Sequence, residues 1–206
     1  MTAASLPQSW VETIAASMPG VTAPVIEQQL LFTLTDFFFA SNYWVVDLPP
    51  IDAVKNNQRY SLISSISKTK VARPIRVTYK DTPLPQVDVT EIVMAEPFAA
   101  SAWAWDGQQL ILAAAPLKTE DRVLKVRASL VPLSLDADMP PLEEYQSSII
   151  NGVIGLLRLR MPHLPGFKPD VAMVMIRDYR AARGRARIAG AGLVNDLARN
   201  AAGGFA

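Results

Sequence analysis

Four arginines, Arg177, Arg180, Arg183 and Arg187, recur at three- and four-residue spacing near the end of the chain. At 100° per residue they fall within an arc of about a third of a helix circumference. Guanidinium groups in such a row can take carboxylates or phosphates through paired N–H donors. Three readings follow. The row is a solvated basic face near a helix C-terminus, where the dipole favours cations. Or it pairs with carboxylates of a neighbouring subunit. Or it faces a nucleic-acid backbone by charge attraction, without reading bases. No helix-turn-helix accompanies it. The overall net charge is +1, yet residues 157–206 carry nine Lys or Arg against three Asp or Glu. The basic end therefore follows an acidic remainder, an asymmetry that marks a face for phosphate or an acidic partner.

Other residues offer little for catalysis. His163 is the only histidine and there is no cysteine, which makes a zinc site improbable and excludes thiol chemistry and disulfides. No Gly-x-Ser-x-Gly elbow, phosphate-binding loop or dinucleotide fingerprint is present. Glu143 and Glu144 are adjacent, so on a helix they diverge, and paired acids after a cap are ordinary. The expectation is a protein that is not an enzyme, with no cofactor and no metal. Trp103 and Trp105 alternate with Ala102 and Ala104 and so point to one face of a strand, either into a core or towards a partner.

The elements that position these residues read as helices at both ends and strands between. Ser5-Leu6-Pro7-Gln8 has capping-box spacing and predicts a short helix to about Met18, stopped by Pro19-Gly20. Thr22-Ala23-Pro24 opens a second helix to about Asn42, with Ile26, Leu30, Phe37 and Ala40 near helical spacing. Val45–Val54, with Pro49-Pro50, reads as an edge strand or arm. Strands are expected around Arg59–Ile63, along a run with Val71, Ile75, Val77 and Tyr79 on one parity that ends at Lys80-Asp81, and at Arg122–Val131, the last ended by Pro132. Ala102–Trp105 and Gln109–Ala113 flank Asp106-Gly107, which suits a tight primed turn. Thr90–Glu96 reads as a short helix. Pro140-Pro141 precedes Leu142-Glu143-Glu144 and a buried helix marked by Leu142, Tyr145, Ile149, Val153 and Leu156. Pro162–Pro169 is a loop, and Pro169-Asp170 opens the last helix. There, Val171, Met175, Ala182, Ala186, Ala189 and Leu193 form a stripe, with Tyr179 beside it, that would let another helix approach closely.

The economical arrangement is an α+β fold: a helical bundle built from both chain ends, with an inserted β-sheet or β-sandwich module. The divisions are 1–44 and 139–190 for the bundle, 45–138 for the β insertion and 191–206 for a C-terminal tail. Repeated glycine after Gly190 weakens an isolated helix. The apolar Leu193, Val194 and Leu197, and Phe205 near the end, are expected to order by docking on a partner, against the alternative of a frayed terminus for the last six residues. Of the 206 residues, 50% are hydrophobic and only 19% charged; mean hydropathy is +0.17. That is apolar for a monomer and consistent with surface buried against partners. No stretch is long and apolar enough for a membrane span, and Met1–Pro7 lacks the basic start of a signal peptide, so a cytosolic product is expected.

This layout resembles the head-to-tail adaptor, or head completion, proteins of tailed bacteriophages. The resemblance is carried by the helix Gln28–Trp44 running into Val45–Val54, by Trp105-Asp106-Gly107 in the β region, and by the strand after it. Met139-Pro140-Pro141-Leu142, Ile149-Ile150-Asn151-Gly152-Val153-Ile154 and the long last helix complete it. It implies a structural protein of the virion neck, assembled in the host cytoplasm. It further implies a closed ring of roughly a dozen copies beneath the portal protein, each touching its neighbours heterologously. The ring would bridge to a tail or nozzle protein and line part of the DNA conduit, with the tail residues docked into the portal. Contact with DNA would be transient, because tight phosphate contacts oppose ejection. That favours subunit or portal contacts for the arginines. Another neck or tail ring component, or a soluble nucleic-acid-binding protein using the arginine row, remains the alternative.

Overall fold

The computed structural model describes residues 8–94, 102–163 and 167–202, with side chains of the last helix described as far as Gly190. In chain order the elements are α1 (Gln8–Ser17), α2 (Ala23–Ser41), β1 (Val45–Asp47), β2 (Ile51–Ala53), β3 (Arg59–Ser61), β4 (Thr69–Tyr79) and β5 (Thr82–Leu84). Then come α3 (Val89–Met94), β6 (Trp103–Trp105), β7 (Gln109–Leu112), β8 (Glu120–Pro132), α4 (Gln146–Arg160) and α5 (Pro169–Ala202). The chain is α+β and forms two compact units, Met1–Trp44 with Val131–Ala206, and Val45–Leu130. The second boundary falls inside β8 rather than at 138. Ser5, Leu6 and Pro7 of the expected capping box, and the end of the expected 90–96 helix, lie outside the described residues.

In the first unit, α4 and α5 run along each other, α2 packs on both, and α1 packs on α2 and α4. Helix α2 has Pro24 in its first turn, where the missing N–H would have had no partner. It ends at Asn42, left-handed at φ 51°, whose N–H bonds the Phe38 carbonyl. Its face of Ile26, Leu30, Leu34 and Phe37 is fully buried. Each such side chain stabilises by about 1.5–3 kcal/mol. Phe37 meets Phe38, Tyr43, Tyr145 and Tyr179 with ring centroids 5.3–6.5 Å apart. Helix α4 starts at Gln146, later than Leu142; Leu142 and Tyr145 are buried in the turn before it.

In the second unit, one antiparallel sheet runs β1-β8-β4-β5, with β2 also on β8, and a smaller sheet runs β3-β7-β6. Leu110, Leu112 and Trp103 of the small sheet share a core with Val77, Leu124, Val126 and Ala128 of the large one. On the other face of the small sheet, Ala104 and Ile111 pack with Ile92 of α3. Period-two alternation explains both faces. Trp103 and Trp105 are thus core residues, and the Trp103 indole N–H donates to the Leu84 carbonyl at 3.1 Å.

Two tight turns close hairpins, and the second is centred one residue later than expected. Lys80 and Asp81, both at positive φ (50° and 62°), link the paired Tyr79 and Thr82. That is the signature of a type I′ hairpin turn. In the β6–β7 hairpin the central residues are Gly107 and Gln108, with only Gly107 at positive φ (97°). Asp106 instead flanks the turn, its carboxylate accepting the Gln108 and Gln109 N–H groups at 2.9 and 2.7 Å. β8 carries a bulge: Ile51 pairs with Leu124 but Ala53 with Glu120. The shift amounts to two extra residues on β8; Arg122 lies within it at φ 54°, and its N–H donates to the Asp52 carboxylate at 2.7 Å.

Candidate functional site

The site is the long helix α5. As far as Gly190, its buried residues are Ala172, Ile176, Tyr179, Ala182, Ala186 and Gly190. The expected stripe was centred elsewhere: among its described side chains Val171 and Ala189 are exposed, Met175 is half-buried, and Ala182 and Ala186 lie buried as expected. The helix is turned by roughly 60° from the expected orientation at 100° per residue. The reason lies on α4. A Cβ at Gly152 would stand 2.7 Å from Tyr179 Cγ, and one at Gly155 would stand 2.9 Å from the Ala172 carbonyl oxygen. Two bare patches of α4 backbone therefore receive Tyr179 and the Ala172 turn, and α5 rotates to fill them. At Gly190 a Cβ would stand 3.0 Å from the Asn42 carbonyl oxygen, so glycine lets α5 pass close to the end of α2.

This rotation splits the arginine row. Arg183 comes to the edge of the buried face, and its Nη1 donates to Asp36 Oδ2 at 2.7 Å. The Tyr179 hydroxyl donates to the same oxygen at 2.6 Å and lies 3.0 Å from the Thr33 carbonyl. Burial first, then the bond to the Asp36 carboxylate, pushes the Tyr179 phenol well above its ordinary value. Arg183 is thus a tie between α5 and α2. Arg177, Arg180 and Arg187 are exposed and make no ion pair or hydrogen bond among the described residues. At 1.5 Å rise they present three guanidinium groups over about 15 Å of helix.

On the same outward face lie Met173, Val174 and Ile188, exposed by 53%, 55% and 76%. Ala181 and Gly184, also exposed, sit between them, and a Cβ at Gly184 would meet nothing within 4 Å. Val174, Arg177, Ala181, Gly184 and Ile188 follow one another at alternating spacings of three and four, the repeat of a helix-pairing seam. Sequence reasoning missed this second stripe because it sought apolar residues for one face only.

The expected tail is a continuation of α5, which stays helical through Gly190 and Gly192 to Ala202. Leu193, Val194 and Leu197 lie on this helix, and their side chains are outside the described residues, as is Phe205. His163 is exposed in a turn, Glu143 and Glu144 are both exposed, and no group of three or more metal-ligating side chains occurs among the described residues. No described helix is long and apolar enough to cross a membrane. No known protein family and no curated protein matches the sequence.

Proposed function

We propose that this chain is a structural protein of the virion neck of a tailed bacteriophage, an adaptor whose ring joins the portal protein to the tail and lines part of the DNA conduit. The observation that carries this reading is the outward face of α5. Arg177, Arg180 and Arg187, with no side-chain ion pair or hydrogen bond among the described residues, alternate there with exposed Met173, Val174 and Ile188, around Ala181 and Gly184. An exposed apolar seam with a guanidinium border is costly to leave in water and suits a helix of another subunit. Arginine also favours bidentate pairing with a neighbour's carboxylates. The ordering of elements, with both chain ends in one helical unit and the strands between them, agrees with the adaptor layout.

In this reading the ring holds roughly a dozen copies related head to tail. The end of α5 docks on the portal, and the chain meets a tail or nozzle protein on the other side. The test is the copy number of this chain in purified virions, measured by quantitative mass spectrometry against the portal protein. A one-to-one ratio is the expected result; absence from the particle overturns the proposal. A second reading, a soluble nucleic-acid-binding protein, draws on the same exposed Arg177, Arg180 and Arg187. It requires a DNA affinity that falls steeply with salt and falls again when those three are neutralised.

A further inference from the structure

The second unit holds a cleft of about 480 Å³ on the outer face of its larger sheet. Its walls include Arg76 of β4, Lys125 and Arg127 of β8, Asp47 of β1, Thr78, and Asp81 of the β4–β5 turn. Strand register brings the cations together. Lys80 N–H bonds the Val123 carbonyl, and the Ser129 hydroxyl reaches the Arg73 carbonyl. In an antiparallel pair the Lys80–Val123 bond sets Arg76 opposite Arg127, and the Ser129–Arg73 contact is one residue diagonal to that register. Like charges facing each other across a sheet are destabilising unless a counter-charge joins them. The counter-charges present are incomplete. Asp81 bonds Lys125 at 2.5 Å and so answers the lysine. Asp47, paired in register with Arg127, stands 3.8 Å from its Nε, beyond hydrogen-bond reach. That Nε is buried and has no hydrogen-bond partner among the described residues. Arg76 is exposed and has no ion pair or hydrogen bond among the described residues.

The geometry points to a binding site for a single carboxylate, held between Arg76 and Arg127 and supported by the Thr78 hydroxyl. A buried guanidinium N–H without an acceptor is costly, and a planar two-oxygen acceptor satisfies it best. Three cations and two carboxylates line the cleft, which leaves one positive charge to be answered. A carboxylate matches that charge; a phosphate dianion overfills it and meets repulsion from Asp47 and Asp81. The carboxylate has two possible sources, a free organic acid or an acidic side chain of another protein.

The experiment titrates the full chain with acetate, with N-acetyl-aspartate N-methylamide and with inorganic phosphate, following the arginine Nε–H resonances by NMR. The carboxylates are expected to give a saturable shift at Arg127, and phosphate a weaker one. Tighter binding of the blocked aspartate than of acetate assigns the source to a protein side chain; equal binding assigns it to a free acid. Arg76→Gln, at an exposed position, should weaken carboxylate binding by about tenfold. Asp47→Asn, also exposed, should tighten it by removing a competing negative charge. No saturable shift with either carboxylate overturns the proposal, as does tighter binding of phosphate or an affinity indifferent to Arg76→Gln.

Discussion

The two units handle polar groups in opposite ways. The helical unit joins them across helix–helix contacts: Tyr179 and Arg183 converge on one Asp36 carboxylate oxygen, and Arg160 bonds Gln29 at 2.7 Å. The β-rich unit places them at turns and strand ends. Glu120 takes Lys80, Lys118 and the Tyr79 hydroxyl at 2.8, 3.0 and 2.9 Å. Asp106 holds the hairpin turn, and Asp52 holds the bulge. The helical unit should therefore be sensitive to side-chain volume and the β-rich unit to pH.

The largest effect expected is from Phe37→Ala. Phe37 is fully buried and touches four other rings, so the loss should be about 3–5 kcal/mol. Trp10 and Trp44 lie in the helical unit and Trp103 and Trp105 in the other. Urea unfolding of variants keeping one pair at a time should show the loss in the helical transition. A loss confined to the Trp103 and Trp105 signal would break the contrast.

Glycine gives a sharper form of the same test. Gly152→Ala puts a methyl group 2.7 Å from a tyrosine ring whose hydroxyl is tied to Asp36 and Thr33. Overpacking there should cost about 1–3 kcal/mol. Gly184→Ala on α5 meets nothing within 4 Å, so the gain in helix propensity should stabilise by about 0.5–1 kcal/mol. Thermal unfolding of both variants should show shifts of opposite sign; equal signs would mean that close approach does not set the packing of α4 on α5.

What the sequence disclosed follows from these contrasts. The ends of α2 were legible because Pro24 and Asn42 act locally, through a fixed φ and a tolerance for the left-handed region. The strand pattern of β8 was legible from Val123 onward because one face is buried. The place of the Lys80-Asp81 turn was legible, but not its left-handed backbone, and nor was the bulge at Arg122: lysine and arginine do not announce a left-handed φ, and strand pairing imposes it. The orientation of α5 was misread for a related reason. The hollows that fix it belong to Gly152 and Gly155 on another helix, and small residues on α5 itself could serve two faces at once. Arg183 was legible as a cation but not as a structural one, because Asp36 lies far away in sequence.

The pH contrast comes next in size. The carboxylates held below their usual range among the described residues, Glu120, Asp106 and Asp88, all belong to the β-rich unit. Hydrogen bonds from Lys80, Lys118 and Tyr79 lower Glu120 from 4.5 to about 2. The stability it contributes is therefore present above pH 4.5 and lost as pH falls from 4.5 towards 2. Burial, then the bond to Glu120, raises Tyr79 from 10.0 to about 12, so its contribution is lost as pH rises across that interval. Glu120→Gln should flatten the acid limb of the Trp103 and Trp105 transition. An unchanged acid limb would remove Glu120 as its source.

The smallest effect is expected on the outward face of α5, and its smallness is the point. Arg183→Gln leaves the Asp36 oxygen with Tyr179 alone and should cost about 1 kcal/mol, since both partners are partly exposed. Arg177→Gln, Arg180→Gln and Arg187→Gln remove no ion pair or side-chain hydrogen bond among the described residues, so each should change stability by less than about 0.5 kcal/mol. If the face serves assembly, the triple variant should fold as the parent does, with the same unfolding midpoint, yet fail to join the particle. A triple variant that unfolds early would return these arginines to the fold. One that folds and assembles normally would leave the seam of Val174, Ala181, Gly184 and Ile188 to act without its charged border.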